Sequence, residues 1–338
     1  MHKKHLAVVP AVAALLAATT LGAHAIDIVV NSGDTVGSQS ISGVGDSLLV
    51  EAGGVIEVFT GSTYPVYSTG ANNTLVNFGG IYSYADCSYG IYAMGNYFSL
   101  TNNGQIETTN WASAGIYVAP SDNNALDTQI LNNGMIWTQG EESHAISVYG
   151  TGTRIINDGS VLTSGDGSVG IYTWARNPGS DVVIVNTGVV YATGASYTNS
   201  SSFVIDAHAI QSKAPGAHII NSGIVISEQA DAFALDAADQ TLTMLAGSTV
   251  YGGIRFANAD SGTLNLGSNL DAVLTITANP GQDLDDLTIN AESGMLGVTR
   301  ISATEHVVTV VSPQTVQAGT AAAANVNGSV GTMIAGHT

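Results

Sequence analysis

Apolar and polar positions alternate in a motif that recurs six times along the chain. Each copy is centred on an asparagine, with Leu or Ile two positions before it, Gly two positions after it and a β-branched residue four positions after it. The six asparagines are Asn77, Asn102, Asn132, Asn157, Asn186 and Asn221. The six glycines are Gly79, Gly104, Gly134, Gly159, Gly188 and Gly223. Apolar residues on both sides of a polar bend fit the period-two alternation of strands better than helical spacing. The motif therefore predicts two short strands joined by a sharp turn.

A second apolar position follows 14 residues after most of these asparagines and is preceded by Gly or Ala. Its members are Ile91, Ile116, Ile146, Ile171 and Leu235. In the fifth copy the matching Ile210 comes later, which predicts a loop insertion at about 191–202. Degenerate copies around Ala52 and Ala246 bring the total to about eight coils. Repeats of nearly constant period predict an all-β fold, a right-handed parallel β-helix in which each coil stacks on the last. An antiparallel sandwich is the alternative.

Stacking has consequences for two sets of side chains. The six asparagines are expected to form one row in which each side chain bonds the next, as polar ladders do in stacked strands. The residues that follow the second apolar position point outward, and three of them are Tyr92, Tyr117 and Tyr172. They are expected to form an aromatic rail, which either stiffens the rod or binds sugars or a protein partner.

The two ends of the chain differ from the repeats. Residues 1–25 combine two lysines, an apolar stretch and the small-residue pattern Ala23-His24-Ala25, which predicts a cleaved secretory signal peptide. We expect a β-helical domain at 26–262, a C-terminal β cap at 263–312 and a junction segment at 313–338. The predicted location is outside the cytoplasm, through the periplasm to the outer-membrane surface or the extracellular space.

Composition and charge narrow the range of functions. Charged residues make up only 10% of the chain, and the formal net charge is −19. Removal of residues 1–25 leaves five basic and 26 acidic residues, a net charge of −21. Such an acidic chain is not expected to bind nucleic acid, whose phosphates require Lys and Arg. The single cysteine, Cys87, excludes an internal disulfide framework.

No catalytic motif is convincing. The tetrad at 45–48 (Gly-Asp-Ser-Leu) resembles the nucleophile block of GDSL esterases, but the nearest Asp–His pair, Asp206 and His208, has one spacer residue too few. The basic residues are dispersed, and none lies within a run of acids in the sequence. Asp283, Asp285 and Asp286 are expected to be solvated turn residues rather than a calcium site. We predict no enzyme activity, no cofactor and no metal. A β-helical carbohydrate-active enzyme, either a polysaccharide lyase or a hydrolase, is the alternative.

The order of these features resembles a known family. The signal peptide, the Asn-x-Gly coils and the glycine-rich stretches at 245–254 and 262–267 together resemble the passenger domain of bacterial type V autotransporters, a pertactin-like β-helix. The resemblance implies Sec-dependent export, display on or release from the outer membrane, and adhesion to host or bacterial surface glycans or proteins. It also implies an outer-membrane translocator barrel as partner. The chain after Pro313 is too short for that barrel, which indicates a fragment or a separate translocator.

Overall fold

The computed structural model describes residues 28–119, 125–176, 179–198 and 202–318. They form an all-β solenoid of about ten turns, built almost entirely from short parallel strands. Most turns contribute one strand to each of three parallel ladders, which enclose a single core. The fold class predicted from the repeats, a parallel β-helix, is confirmed. The predicted signal peptide and residues 319–338 of the predicted junction lie outside the described residues.

The first ladder contains eleven strands, each paired in register with the strand of the next turn. Its strands are Ile28–Val30, Ser47–Val50, Thr74–Asn77, Ser99–Asn102, Gln129–Asn132, Arg154–Asn157, Val183–Asn186, His218–Asn221, Thr241–Met244, Thr263–Leu266 and Thr288–Ala291. The stack thus continues at both ends beyond the roughly eight coils that the repeat predicts. The repeat is hidden there because no asparagine occupies the central position of the terminal turns.

Strands of the second and third ladders follow the first in the N-terminal and central turns. The second ladder contains Thr35–Val36, Val55–Val58, Gly80–Ser83, Gln105–Thr108, Met135–Thr138, Ser160–Thr163 and Val189–Ala192. The third ladder contains Gln39–Ile41, Val66–Ser68, Ile91–Ala93, Ile116–Val118, Ile146–Thr151, Ile171–Trp174, Ile210–Lys213 and Ala272–Ala278. Two long strands, Ile224–Leu235 and Thr249–Phe256, pass from the second ladder into the third with register shifts on the way.

A few elements depart from the three ladders. Ala125–Leu126 pairs with the end of Ile146–Thr151, and Tyr197–Thr198 forms an antiparallel hairpin with Val204–Ile205. At the C-terminal end, Met295–Ser302, Glu305–Val311 and Ala272–Ala278 pair antiparallel. Short 3-10 turns lie at Ala259–Ser261 and Leu284–Asp286, and residues 313–318 are helical.

The predicted insertion begins only after Ala192, since Tyr191 and Ala192 still belong to the second ladder.

The core consists of three apolar columns, one behind each ladder. The same kind of side chain recurs at each level, such as Leu75, Leu100 and Ile130 behind the first ladder, and each is at most 2% exposed. A single turn buries little apolar surface by itself, so each turn depends on its neighbours for stability.

The six asparagines lie in one buried row at the end of the first ladder, and all are fully buried. The side-chain amide of each donates to the side-chain oxygen of the next, over 2.8 Å from Asn77 to Asn102 and 2.7 Å from Asn132 to Asn157. The intervening links are equally short. The structure thus places the six predicted residues in one continuous hydrogen-bonded chain, as expected from the repeat.

The six glycines form a second row beside the asparagines, and close approach of the backbone explains them. A Cβ atom on Gly134 would lie 2.1 Å from the carbonyl oxygen of Gly104, and the other five have equivalent contacts at 2.1 or 2.2 Å. The φ angle of Gly134 is not positive. Glycine is therefore required here by the close approach of the neighbouring backbone and not by a left-handed backbone conformation.

The turns around Ala52 and Ala246 differ from the predicted register. Val50 and Met244, not the two alanines, occupy the position of the asparagines in the neighbouring turns. The connection to the second ladder is two residues longer in these turns, since Ile56 and Val250 still align with their neighbours. Apolar residues thus close the asparagine row at both ends.

A similar correction applies to the third ladder. Phe233, not Leu235, aligns with Ile210. Leu235 lies two residues further along the same strand, pairs with Ser212 and points to the same side.

Candidate functional site

The outer surface of the third ladder carries the unusual side chains of this protein. The residue after each core residue forms a column in strict register: Tyr67, Tyr92, Tyr117, Ser147, Tyr172, Gln211, Ala234 and Arg255. Two further columns flank it, at two positions before and three positions after the core residue. The predicted rail residues Tyr92, Tyr117 and Tyr172 all lie in the central column.

Eight aromatic rings cover this surface over five successive turns, and we call them the aromatic surface. Its members are Tyr64, Tyr67, Tyr89, Tyr92, Tyr117, Tyr149, Tyr172 and Trp174. Tyr89 stacks on Tyr64 with centroids 5.4 Å apart and on Tyr117 at 4.4 Å, whereas Tyr92 meets its neighbours at tilted or edge-on angles. All eight side chains are partly exposed. The rail is thus broader than the sequence predicts.

Tyr149 closes the gap that Ser147 leaves in the central column. Its ring lies 5.6 Å from Tyr117, 5.7 Å from Tyr172 and 5.9 Å from Trp174, measured between centroids. Ser147 is fully buried beneath these rings. Burial raises the pKa of Tyr89 to about 12 and also raises the pKa values of Tyr117 and Tyr172. The hydroxyl groups therefore remain protonated and can donate hydrogen bonds at neutral pH.

Two cations lie at the far end of the aromatic surface. The ammonium of Lys213 lies 5.7 Å from the ring centroid of Tyr172, and the guanidinium carbon of Arg176 lies 5.9 Å from that of Trp174. Both cationic side chains are exposed. Within the described ranges neither of them forms an ion pair, so their charges are available to a ligand.

A cavity of about 300 Å³ opens in the middle of the aromatic surface. Tyr89, Tyr117, Tyr149, Glu142 and His144 line it, and Ile205 of the inserted hairpin forms one wall. The ring of His144 stacks on Tyr172 at 5.3 Å, and its Nδ1 accepts a hydrogen bond from the backbone N–H of Val169. Burial, together with the charge of Lys213, lowers the pKa of His144 to about 4. The neutral ring thus carries its proton on Nε2 and is a donor.

The same surface continues into a group of charged residues, which we call the charged cluster: Asp206, His208, Asp231, Asp236 and Arg255. Arg255 contacts Asp231 at 3.3 Å and Asp236 at 3.1 Å. His208 lies 3.1 Å from the Arg255 guanidinium and 3.8 Å from Asp206, and it is 2% exposed. Gln211 of the central column donates to Asp236. An arginine therefore does lie in an acid cluster, contrary to the expectation from the dispersed basic residues.

The charged cluster perturbs the ionisation of its members. Burial raises the pKa of Asp231, and the opposing charge of Arg255 only partly offsets this effect. Burial and the proximity of Arg255 lower the pKa of His208 to about 4, so its ring is neutral at pH 7. A half-buried carboxyl of raised pKa beside two further carboxyl groups is an arrangement that suits proton transfer.

Other predicted chemistry is placed differently. Ser47 of the esterase-like tetrad lies in the first ladder, five turns from Asp206 and His208, which is about 24 Å along the axis at the usual strand spacing. Asp283 and Asp285 pair with Arg300 at 3.3 and 3.4 Å, so they are not simply solvated acids. In the part of the chain that the structure describes, no group of His, Cys, Asp and Glu has the arrangement of a metal site.

Comparisons with known proteins identify no relative. No family model, no curated protein and no solved structure matches the chain. Across residues 28–119, 125–176, 179–198 and 202–318, no helix has both the length and the apolar character needed to cross a membrane.

Proposed function

We propose that this chain is an exported β-solenoid that binds surface glycans or proteins through its aromatic surface, as the passenger of a type V autotransporter. The predicted signal peptide, the resemblance of its repeats to autotransporter passengers and the solenoid fold support this proposal. The function is adhesive and structural, without catalysis. In this proposal the exported chain works with an outer-membrane translocator barrel and acts at the cell surface or after release from it.

The aromatic surface is the observation that carries this proposal. Tyrosine and tryptophan combine a large apolar face with a hydrogen-bonding tip, which suits them to ligands that are apolar on one side and polar on the other. A sugar ring has this character, since its C–H face packs on aromatic rings and its hydroxyls bond polar groups. Rings that only stiffened the rod by stacking on one another would need neither the neighbouring cavity nor the exposed cations at one end. Ligand binding gives both features a role.

Binding to cells tests the proposal directly. The Tyr92→Ala and Tyr172→Ala variants remove rings from the central column, and we expect each to reduce binding of the purified protein to bacterial or epithelial cells at least fivefold. Tyr251→Ala is the matched control, because Tyr251 is 63% exposed but belongs to the second ladder. Equal binding by all three variants and the unmodified protein would refute an adhesive role for the aromatic surface.

The charged cluster supports a second candidate, a carbohydrate-active enzyme. Asp231, whose pKa burial raises, would act as the general acid, and the neighbouring Asp206 or Asp236 would act as base or nucleophile. The aromatic surface would then guide a polysaccharide toward the cluster along the same face of the solenoid.

This candidate is separated from the first by turnover. Incubation of the purified protein with polysaccharides, followed by measurement of new reducing ends, gives no signal if the function is adhesive only. Release of sugars that is lost in Asp231→Asn but retained in Asp260→Asn, a carboxylate outside the cluster, would establish the enzyme instead.

A further inference from the structure

The distribution of positive charge on this acidic protein is uneven. Of the five basic residues after position 25, three lie on the third-ladder face within four successive turns: Arg176, Lys213 and Arg255. Arg255 is neutralised by Asp231 and Asp236. The other two form no ion pair with a described carboxylate. A chain with a net charge near −20 repels polyanions in general, so two exposed cations without ion pairs mark a local exception.

Each of these two cations lies over a ring of the aromatic surface. Trp174 and Lys213 are register partners on adjacent strands, and Arg176 follows Trp174 by two residues, so the two cations come from adjacent turns. Lys213 lies over Tyr172 and Arg176 over Trp174, at the distances given above. The lowered pKa of His144 reflects in part the charge of Lys213, which places that charge close to the rim of the cavity.

On the basis of the proposed function, we infer that the ligand of the aromatic surface is a carboxylated glycan whose acidic sugar lies at the Tyr172–Trp174 end. The sugar ring packs against the aromatic side chains while its carboxylate pairs with Lys213 and with the guanidinium fork of Arg176. The neutral His144 contributes an Nε2–H donor at the adjoining cavity. A neutral glycan would use the rings but leave both cations unused.

A comparison of charged and neutral forms of the same sugar tests this inference. The probes are oligogalacturonate, oligoalginate and sialyllactose, each measured beside its methyl ester by isothermal titration calorimetry with the full protein. We expect at least one free acid to bind about tenfold more tightly than its ester, and this preference to weaken as salt rises. The double substitution Arg176→Gln and Lys213→Gln abolishes the preference for the acid over its ester.

Arg154→Gln is the matched control, because Arg154 is an exposed arginine on the first ladder. It should retain the full preference for the acid. Equal binding of acids and esters to the unmodified protein, or the same loss in Arg154→Gln, would overturn the inference. Ester binding that depends on Tyr92 and Tyr172 would then leave the adhesive function intact with a neutral ligand. No binding to any of these probes or to cells would reject both.

Discussion

The asparagine row makes a quantitative prediction for the substitution of Asn132 by alanine. Asn132 accepts a hydrogen bond from the Asn102 side chain at 2.8 Å and donates to the side-chain oxygen of Asn157 at 2.7 Å. It also donates to the backbone carbonyl of Ser160 at 3.2 Å. The Asn132→Ala variant breaks the row at turn five, in the interior of the solenoid, and removes the links to turns four and six.

The expected cost follows from the two short side-chain bonds and from the groups that remain. Each hydrogen bond contributes about 1 kcal/mol, and a buried polar atom left without a partner adds about 1–3 kcal/mol. Asn102 keeps weak contacts with the carbonyls of Met135 and Gly104, at 3.3 and 3.4 Å, whereas the Asn157 side-chain oxygen loses its donor. We therefore expect a loss of about 3–5 kcal/mol in the free energy of unfolding.

Urea denaturation followed by far-UV circular dichroism measures this loss. Asn133→Ala is the control, since Asn133 is the next residue, is exposed, and makes a single surface hydrogen bond to Asn103. Its effect should be below about 0.5 kcal/mol. Equal effects at the two positions would show that the row does not stabilise the solenoid. Because turns contact only their neighbours, the central lesion is also expected to broaden or split the transition.

Three further predictions concern the backbone and the titrating groups. Gly134→Ala should lower the free energy of unfolding by at least about 3 kcal/mol, because its Cβ would overlap a backbone carbonyl, whereas Gly37→Ala, with open space around it, should have little effect in the same urea assay. Ala112 has a φ of 50°, so Ala112→Gly should raise the midpoint of thermal unfolding, by the equivalent of about 0.5 kcal/mol. Between pH 6.5 and 5 the protein should lose stability as the pH falls, by up to about 1.4 kcal/mol per pH unit for each of His144 and His208. Their pKa values are about 4 in the folded protein and near 6.5 when unfolded, so only the unfolded chain takes up protons there, and the double His→Gln variant should flatten the pH profile.

The solenoid could be predicted because every turn makes the same contacts. The Asn, Gly and β-branched positions recur with so little variation that they define two of the three ladders directly. The errors in register, at Val50, Phe233 and Met244, are all slips of two residues. A slip of one residue would turn apolar side chains outward, but a slip of two keeps the same face inward and leaves the hydrophobic pattern unchanged. The pattern alone therefore could not detect these errors.

The candidate site was harder to predict for a related reason. Tyr92, Tyr117 and Tyr172 share one column, but the aromatic surface also draws on the flanking columns of Tyr89 and Tyr149. Their signal was present, since they lie two before and three after the core residues of the third ladder. The charged cluster occupies the same columns, with His208 and Asp231 in one and Asp236 in another. Asp231 and Asp236 could not be assigned to these columns while Leu235 was taken as the core residue of their turn.

A buried row of serines was also missed. Ser88, Ser113, Ser143 and Ser168 are fully buried, and each backbone N–H from Ser88 to Ser143 donates to the hydroxyl of the serine in the next turn. The sequence signal is a serine three residues before the core isoleucine of each turn, with Gly or Ala between them. The Gly or Ala directly before the core isoleucine does not by itself indicate this serine row.

Because successive turns pair in exact register, the length of the solenoid can change without changing the contacts between turns. Strand Ser99–Asn102 meets Gln129–Asn132 through the same positions by which that strand meets Arg154–Asn157. Deleting one whole turn would bring Asn102 against Asn157 with every core column still aligned. Duplication or loss of a repeat in the gene would then change the reach of the rod in steps of about 4.8 Å. Natural selection could in this way adjust how far the aromatic surface stands from either end of the rod without changing the contacts within the surface.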